Sequence, residues 1–159
     1  MSTTITTYLT ADDVNAAIAS SELIQLLDDP VYPMGTLNTT LRDQLLTRVQ
    51  GMMDSKIGVK NALPLVVDDT DAASVTETLR GCGLALFRWM AMRDKPHMEE
   101  AFKGVKDAYD DALRWLDDVA AGKAFLGTSR ILPGAEARNA AVLSSEHKGR
   151  FSRERLKEW

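Results

Sequence analysis

The stretch Met98-Glu99-Glu100-Ala101-Phe102-Lys103-Gly104-Val105-Lys106-Asp107-Ala108-Tyr109-Asp110-Asp111-Ala112-Leu113-Arg114-Trp115-Leu116-Asp117-Asp118-Val119-Ala120-Ala121-Gly122 decides the fold class of this chain. Within it Met98, Phe102, Val105, Tyr109, Ala112, Leu116 and Val119 recur at steps of three and four. That period lays apolar side chains along one face of an α-helix, and the stripe holds over more than five turns. Two acidic pairs, Asp110-Asp111 and Asp117-Asp118, fall on the opposite, polar face, and Asp110 and Arg114 form an i,i+4 pair. Gly122 after Ala121, with Lys123 beside it, is a stop signal. The spacing predicts a helix from about His97 to Ala121.

Working outward, Lys95-Pro96 separates this helix from a second one, predicted from about Asp71 to Arg93. Val75, Leu79, Cys82, Leu86 and Met90 form its stripe and Phe87 widens it. Gly81 and Gly83 flank Cys82, and their small size lets another backbone approach closely. A further long helix is predicted from about Thr39 to Ile57 on Leu41, Leu45, Val49, Met52, Met53 and Ile57, with Gly51 a soft spot costing ~1 kcal/mol against alanine. Gly58 to Asp69 is a connection around Leu63-Pro64-Leu65, where Val66 and Val67 suit a short extended piece. Near the start, Thr10 is an N-cap with Asp13 in capping-box position, ahead of Val14, Ala17 and Ile18. Ser21 restarts the pattern with Glu22 at the first helical position, and Asp28-Asp29-Pro30 ends it. The expected class is all-α: a small bundle of about three long helices plus short N-terminal helices, residues 1–122, with an extended C-terminal arm, residues 123–159.

The length, 159 residues, suits one domain with an arm. Apolar residues at 45% and charged residues at 26% support a packed core. A single cysteine, Cys82, excludes a disulfide framework. No run approaches the roughly 18 to 20 apolar residues of a membrane span. The first seven residues do not read as a secretory signal, so a reducing cytoplasm is the expected compartment. Charge is unevenly divided. Residues 1–122 hold 11 basic and 19 acidic residues, net −8, and residues 123–159 hold 8 and 4, net +4. An acidic body followed by a basic tail points to a partner for the tail.

Nothing in the sequence assembles a reaction centre. His97 and His147 stand far apart, without the helical pairing or cysteines that a metal site needs. Cys82 lies on an apolar stripe, the setting of a structural thiol, and no histidine is spaced to activate it. Five Asp-Asp pairs occur, at 12–13, 28–29, 68–69, 110–111 and 117–118. Adjacent helical residues point about 100° apart and do not converge on one ion; the first three pairs sit at element ends, where Asp caps or terminates. No phosphate-binding glycine loop and no nucleophile elbow is present. Trp89 and Trp115 lie near apolar stripes. The expectation is a protein that is not an enzyme and uses no cofactor or metal.

The tail is different. From Ser144 to Trp159 it alternates cations with Phe151, Leu156 and Trp159. Burying such side chains on a partner is worth roughly 1.5–3 kcal/mol each, and aromatic and arginine residues are the usual anchors of interfaces. Three forms of contact fit: a short helix capped by Ser152, a strand added to a partner's sheet edge, or cations on phosphate with rings stacked on bases. Glu146, Glu154 and Glu158 weigh against the last. The candidate partner-binding residues are Arg150, Phe151, Arg153, Arg155, Leu156 and Trp159. Phe151, Leu156 and Trp159 serve as apolar plugs and the arginines as carboxylate partners.

Four segments, in order, resemble the Mu-like tailed-phage head–tail connector family. Ala108-Tyr109-Asp110-Asp111-Ala112-Leu113-Arg114-Trp115-Leu116-Asp117-Asp118-Val119-Ala120-Ala121-Gly122-Lys123 is similar to its pattern of a tyrosine, an acidic pair, Ala-Leu-x-x-Leu and Ile/Val-Ala-x-Gly-Lys. Glu22-Leu23-Ile24-Gln25-Leu26-Leu27-Asp28-Asp29 resembles its early Glu-Leu-Ile-Gln-Leu-Thr-Asp segment. Leu63-Pro64-Leu65 resembles its Arg-Tyr-x-Leu-Pro-Leu loop, with Lys60-Asn61 standing where the family has Arg-Tyr. Phe151-Ser152-Arg153-Glu154-Arg155-Leu156 resembles its terminal Phe-Ser-Arg-(Asp/Glu)-x-Leu. The resemblance implies a helical structural protein of the virion neck, assembled in the bacterial host cytoplasm. It implies a ring of copies under the portal protein, twelve-fold like the portal, that meets a stopper or tail-completion protein. DNA passes through such a ring without sequence-specific binding, and no membrane is involved. The arm then reaches a neighbouring copy or the portal and orders on assembly. The alternative reading is a small phage nucleic-acid-binding protein, for packaging or regulation, using the basic tail.

Overall fold

A computed structural model of the chain describes residues 2–28, 35–93, 95, 99–124 and 126, with the side chains of 99–102 excepted. The elements in order are β1 (Ser2–Ile5), α1 (Ala11–Ala17), α2 (Ser20–Leu27), α3 (Thr39–Ile57), β2 (Leu65–Asp68), α4 (Asp69–Met92) and α5 (Glu99–Ala121). The protein is mostly helical, as the periodicity predicts. No helix among the described residues is long and apolar enough to cross a membrane.

Each long helix turns most of the stripe read from its sequence inward, with Leu41, Met52, Cys82, Val105 and Tyr109 half-buried, while Met98 and the Phe102 side chain lie outside the described residues. Leu45, Val49, Met53 and Ile57 of α3 face inward. So do Val75, Leu79, Leu86, Phe87 and Met90 of α4, and Ala112, Leu116 and Val119 of α5. The three helices pack on one another around this common core. α3 starts where the Asn38 side chain accepts a hydrogen bond from the Leu41 amide at 2.9 Å, and stops at Gly58. α4 begins at Asp69, two residues ahead of the expected start, because it grows directly from the end of β2.

The N-terminal third departs more. Thr10 and Asp13 form the expected capping box. The Asp13 amide donates to Thr10 Oγ1 at 3.2 Å and the Thr10 amide to Asp13 Oδ2 at 2.9 Å. The second short helix is not opened by Ser21. Its N-cap is Ala19, which makes no side-chain cap, and Ser20 is already helical. The chain is extended at Ile18 and Ala19, and that kink drives Ile18 into the core at 1% exposure. Core burial, rather than capping, sets the break.

Val66 and Val67 are extended, as expected, but their partner is the chain's own start. Thr3 pairs with Val67 and Ile5 with Leu65 in an antiparallel two-stranded ribbon. β-branched threonines suit such a strand. Only Ile5 of β1 is buried, so the ribbon has one inward face and leans on α4; two strands alone are marginal in water.

Candidate functional site

The residues proposed from sequence as the docking set, Arg150, Phe151, Arg153, Arg155, Leu156 and Trp159, lie outside the described residues, as do His97 and His147. The described residues reach just past the end of α5. α5 ends in a left-handed turn at Gly122, φ 76°, a conformation that glycine adopts without strain. The Lys123 and Ala124 amides then donate to the Asp118 carbonyl at 2.8 and 3.2 Å, which satisfies the helix end. Four residues past Gly122, Leu126 packs into the core at 3% exposure.

The same end of the bundle carries the loop from Gly58 to Pro64. Lys56, in the last turn of α3, bridges to Asp117 of α5 at 2.5 Å. Three amides, of Val59, Lys60 and Asn61, donate back to the carbonyls of Lys56 and Ile57. Asn61 is buried, and its side-chain amide donates to the Ile57 carbonyl at 3.2 Å. The polar Asn61 therefore braces the loop from within. Leu65 is fully buried, whereas Val59 and Leu63 stand out at 56% and 42% exposure. The sequence places Leu63 in the Leu63-Pro64-Leu65 connection without marking it as exposed, and does not mark Val59. A signal was available: an apolar residue on each side of a polar Lys60-Asn61 in a short connection.

A second apolar feature runs between α4 and α5. Gly81, Leu84, Ala85 and Arg88 on one helix and Gly104, Val105 and Ala108 on the other line a groove of about 350 Å³. The glycines admit a side chain in place of the expected backbone, and at Gly83 alone, where the position of a Cβ lies 3.1 Å from Leu9 Cβ. Gly81 faces open space and serves the groove.

The acidic pairs act as local anchors. Asp13 meets Arg80 at 2.8 Å, Asp28 accepts from the Gly35 amide at 2.9 Å, and Asp69 accepts from the Thr3 hydroxyl at 2.7 Å. The expected Asp110–Arg114 pair is not formed. Asp110 bonds Lys106 at 2.6 Å and Arg114 bonds Asp111 at 2.8 Å, since each cation reaches a carboxylate on its own side of α5. Among the described residues no three His, Cys, Asp or Glu side chains converge. Cys82 is half-buried, and burial pushes its thiol up to about 11. Trp89 stacks at a tilt on Tyr109, centroids 5.4 Å apart, and Trp115 packs against the core.

No curated protein matches the chain. A family model does, that of "Bacteriophage Mu, Gp36", over residues 8–144. The match takes in the whole helical body and the first part of the tail, so the chain belongs to the bacteriophage Mu Gp36 family and is a Mu-like phage protein.

Proposed function

We propose that the protein is a structural connector of the phage neck, non-catalytic, forming a ring beneath the portal that joins capsid to tail. The observation that carries the reading is the division of charge between a helical acidic body and a basic, aromatic-bearing tail. It is joined by family membership over residues 8–144. Like charge repels DNA phosphates, so a net −8 body suits a passage through which DNA slides without sticking. The +4 tail, with Phe151, Leu156 and Trp159, suits an arm that grips a neighbouring copy, the portal or a tail-completion protein. Weak arm contacts repeated around a closed ring add to high avidity.

The test is an affinity pull-down from cells producing the parent particle, with the tagged full chain and with a version ending at Leu143. Portal or tail-joining proteins that accompany the full chain and not the shortened one support the reading. Nucleic acid alone, lost in moderate salt, replaces it with the nucleic-acid-binding alternative.

A further inference from the structure

Two apolar features stand open among the described residues. Val59 and Leu63 project from a loop that Asn61 and three backbone hydrogen bonds hold rigid. The α4–α5 groove, of about 350 Å³, is lined in part by the small residues Gly81, Ala85, Gly104 and Ala108. The loop sits beside Asp117, through the Lys56 bridge. Along α5, Ala108 and Gly104 lie roughly 14–20 Å from Asp117 at 1.5 Å per residue. The loop therefore does not reach its own groove.

We infer that the loop tip of one copy, Val59 and Leu63, seats in the α4–α5 groove of the next. The occupant is a second copy of this chain, so the inference rests on the ring reading above and deepens it. Charge agrees with shape. Lys60 lies between Val59 and Leu63 in the loop, and the exposed Asp107 and Asp111 stand one residue before and three residues after the groove residue Ala108 on α5. Asp111 also holds Arg114, and the Arg88 cation that lines the groove is tied back to the Ala17 carbonyl at 3.2 Å. Tip and groove occupy different places on the molecule, so the contact is head-to-tail. Such contacts make rings when the rotation closes. A tip this small covers less than the roughly 1,000 Å² of a stable pair, so the contact holds where a closed ring repeats it.

The experiment is disulfide trapping in purified particles. The chain carries Leu63→Cys and Ala108→Cys in a Cys82→Ser background, and mild oxidation precedes a non-reducing gel. The expected result is a ladder of multimers of this chain that neither single-cysteine variant gives. Two outcomes overturn the inference and leave the connector reading standing. In one, particles contain the chain in normal amount but yield no ladder. In the other, the cysteine introduced at position 63 links to a different virion protein. A wild-type chain absent from particles overturns that reading and the inference with it. A second variant, Leu63→Asp, is expected to keep the helical circular dichroism of the wild type and to lose at least tenfold in incorporation. Normal incorporation of that variant overturns the inference.

Discussion

The Tyr8 hydroxyl donates a 2.8 Å hydrogen bond to the Asp54 carboxylate, across 46 residues of chain. The same segment is held a second time, by the Tyr8 amide on Gln50 Oε1 at 3.2 Å. Burial, reinforced by the Asp54 hydrogen bond and charge, raises the Tyr8 hydroxyl above the ordinary tyrosine range. The pair ties the segment between β1 and α1 to the outer side of α3. Replacing Tyr8 by Phe removes the donor and leaves the carboxylate without it. The expected loss is about 1–3 kcal/mol, read as a lower urea midpoint with unchanged slope.

At the capping box the effect depends on pH. The Thr10 hydrogen bonds, with a smaller contribution from Arg80, lower the Asp13 carboxyl below its ordinary value. A depressed carboxylate stabilises the fold above the unfolded value, near 3.9, and that stability is lost as pH falls through the folded one. Thr10→Ala is expected to cost about 1 kcal/mol at pH 7. The gap from wild type should narrow below about pH 4, as thermal melts across pH would record.

Glycines give opposite signs. Gly51 faces open space inside α3, so Gly51→Ala is expected to raise stability by about 0.5–1 kcal/mol. At Gly83 the Leu9 side chain stands in the way, and Gly83→Leu should cost about 1–3 kcal/mol through overpacking. Denaturation midpoints of the two variants should fall on either side of wild type.

Neighbouring leucines separate core from surface. Leu65→Ala empties a fully buried position and is expected to cost about 2–5 kcal/mol. Leu63→Ala, at an exposed position, should stay within about 0.5 kcal/mol of wild type. Equal losses at both would show that the loop tip is part of the core.

Cys82 should react slowly. Burial pushes its thiol up to about 11, so the thiolate fraction at pH 8 falls about a hundredfold from that of a free cysteine. Maleimide labelling should be correspondingly slow in buffer and fast in denaturant.

The long helices were legible because each repeats one apolar face over several turns, and a long repeat outweighs local exceptions such as Gly51. The short elements were not. β1 shows one buried residue, Ile5, among threonines, and its partner β2 lies some sixty residues on; local pattern carries no trace of such a pairing. The start of α2 at Ser20 follows from where Ile18 must go, a property of the finished core. The Asp110 pairing failed because i,i+4 spacing permits two partners, Lys106 and Arg114, and does not rank them. Of the candidate surface, the arm's composition was plain in Phe151, Leu156, Trp159 and the cations. The loop tip and the groove were not, since each joins residues whose exposure depends on how α3, α4 and α5 pack.

Leu126 bears on how the molecule carries load. It is buried beyond the Gly122 turn, so the chain is fixed to the core past the last turn of α5. Force applied from beyond residue 126 would have to dislodge Leu126 from the core before it reached α5.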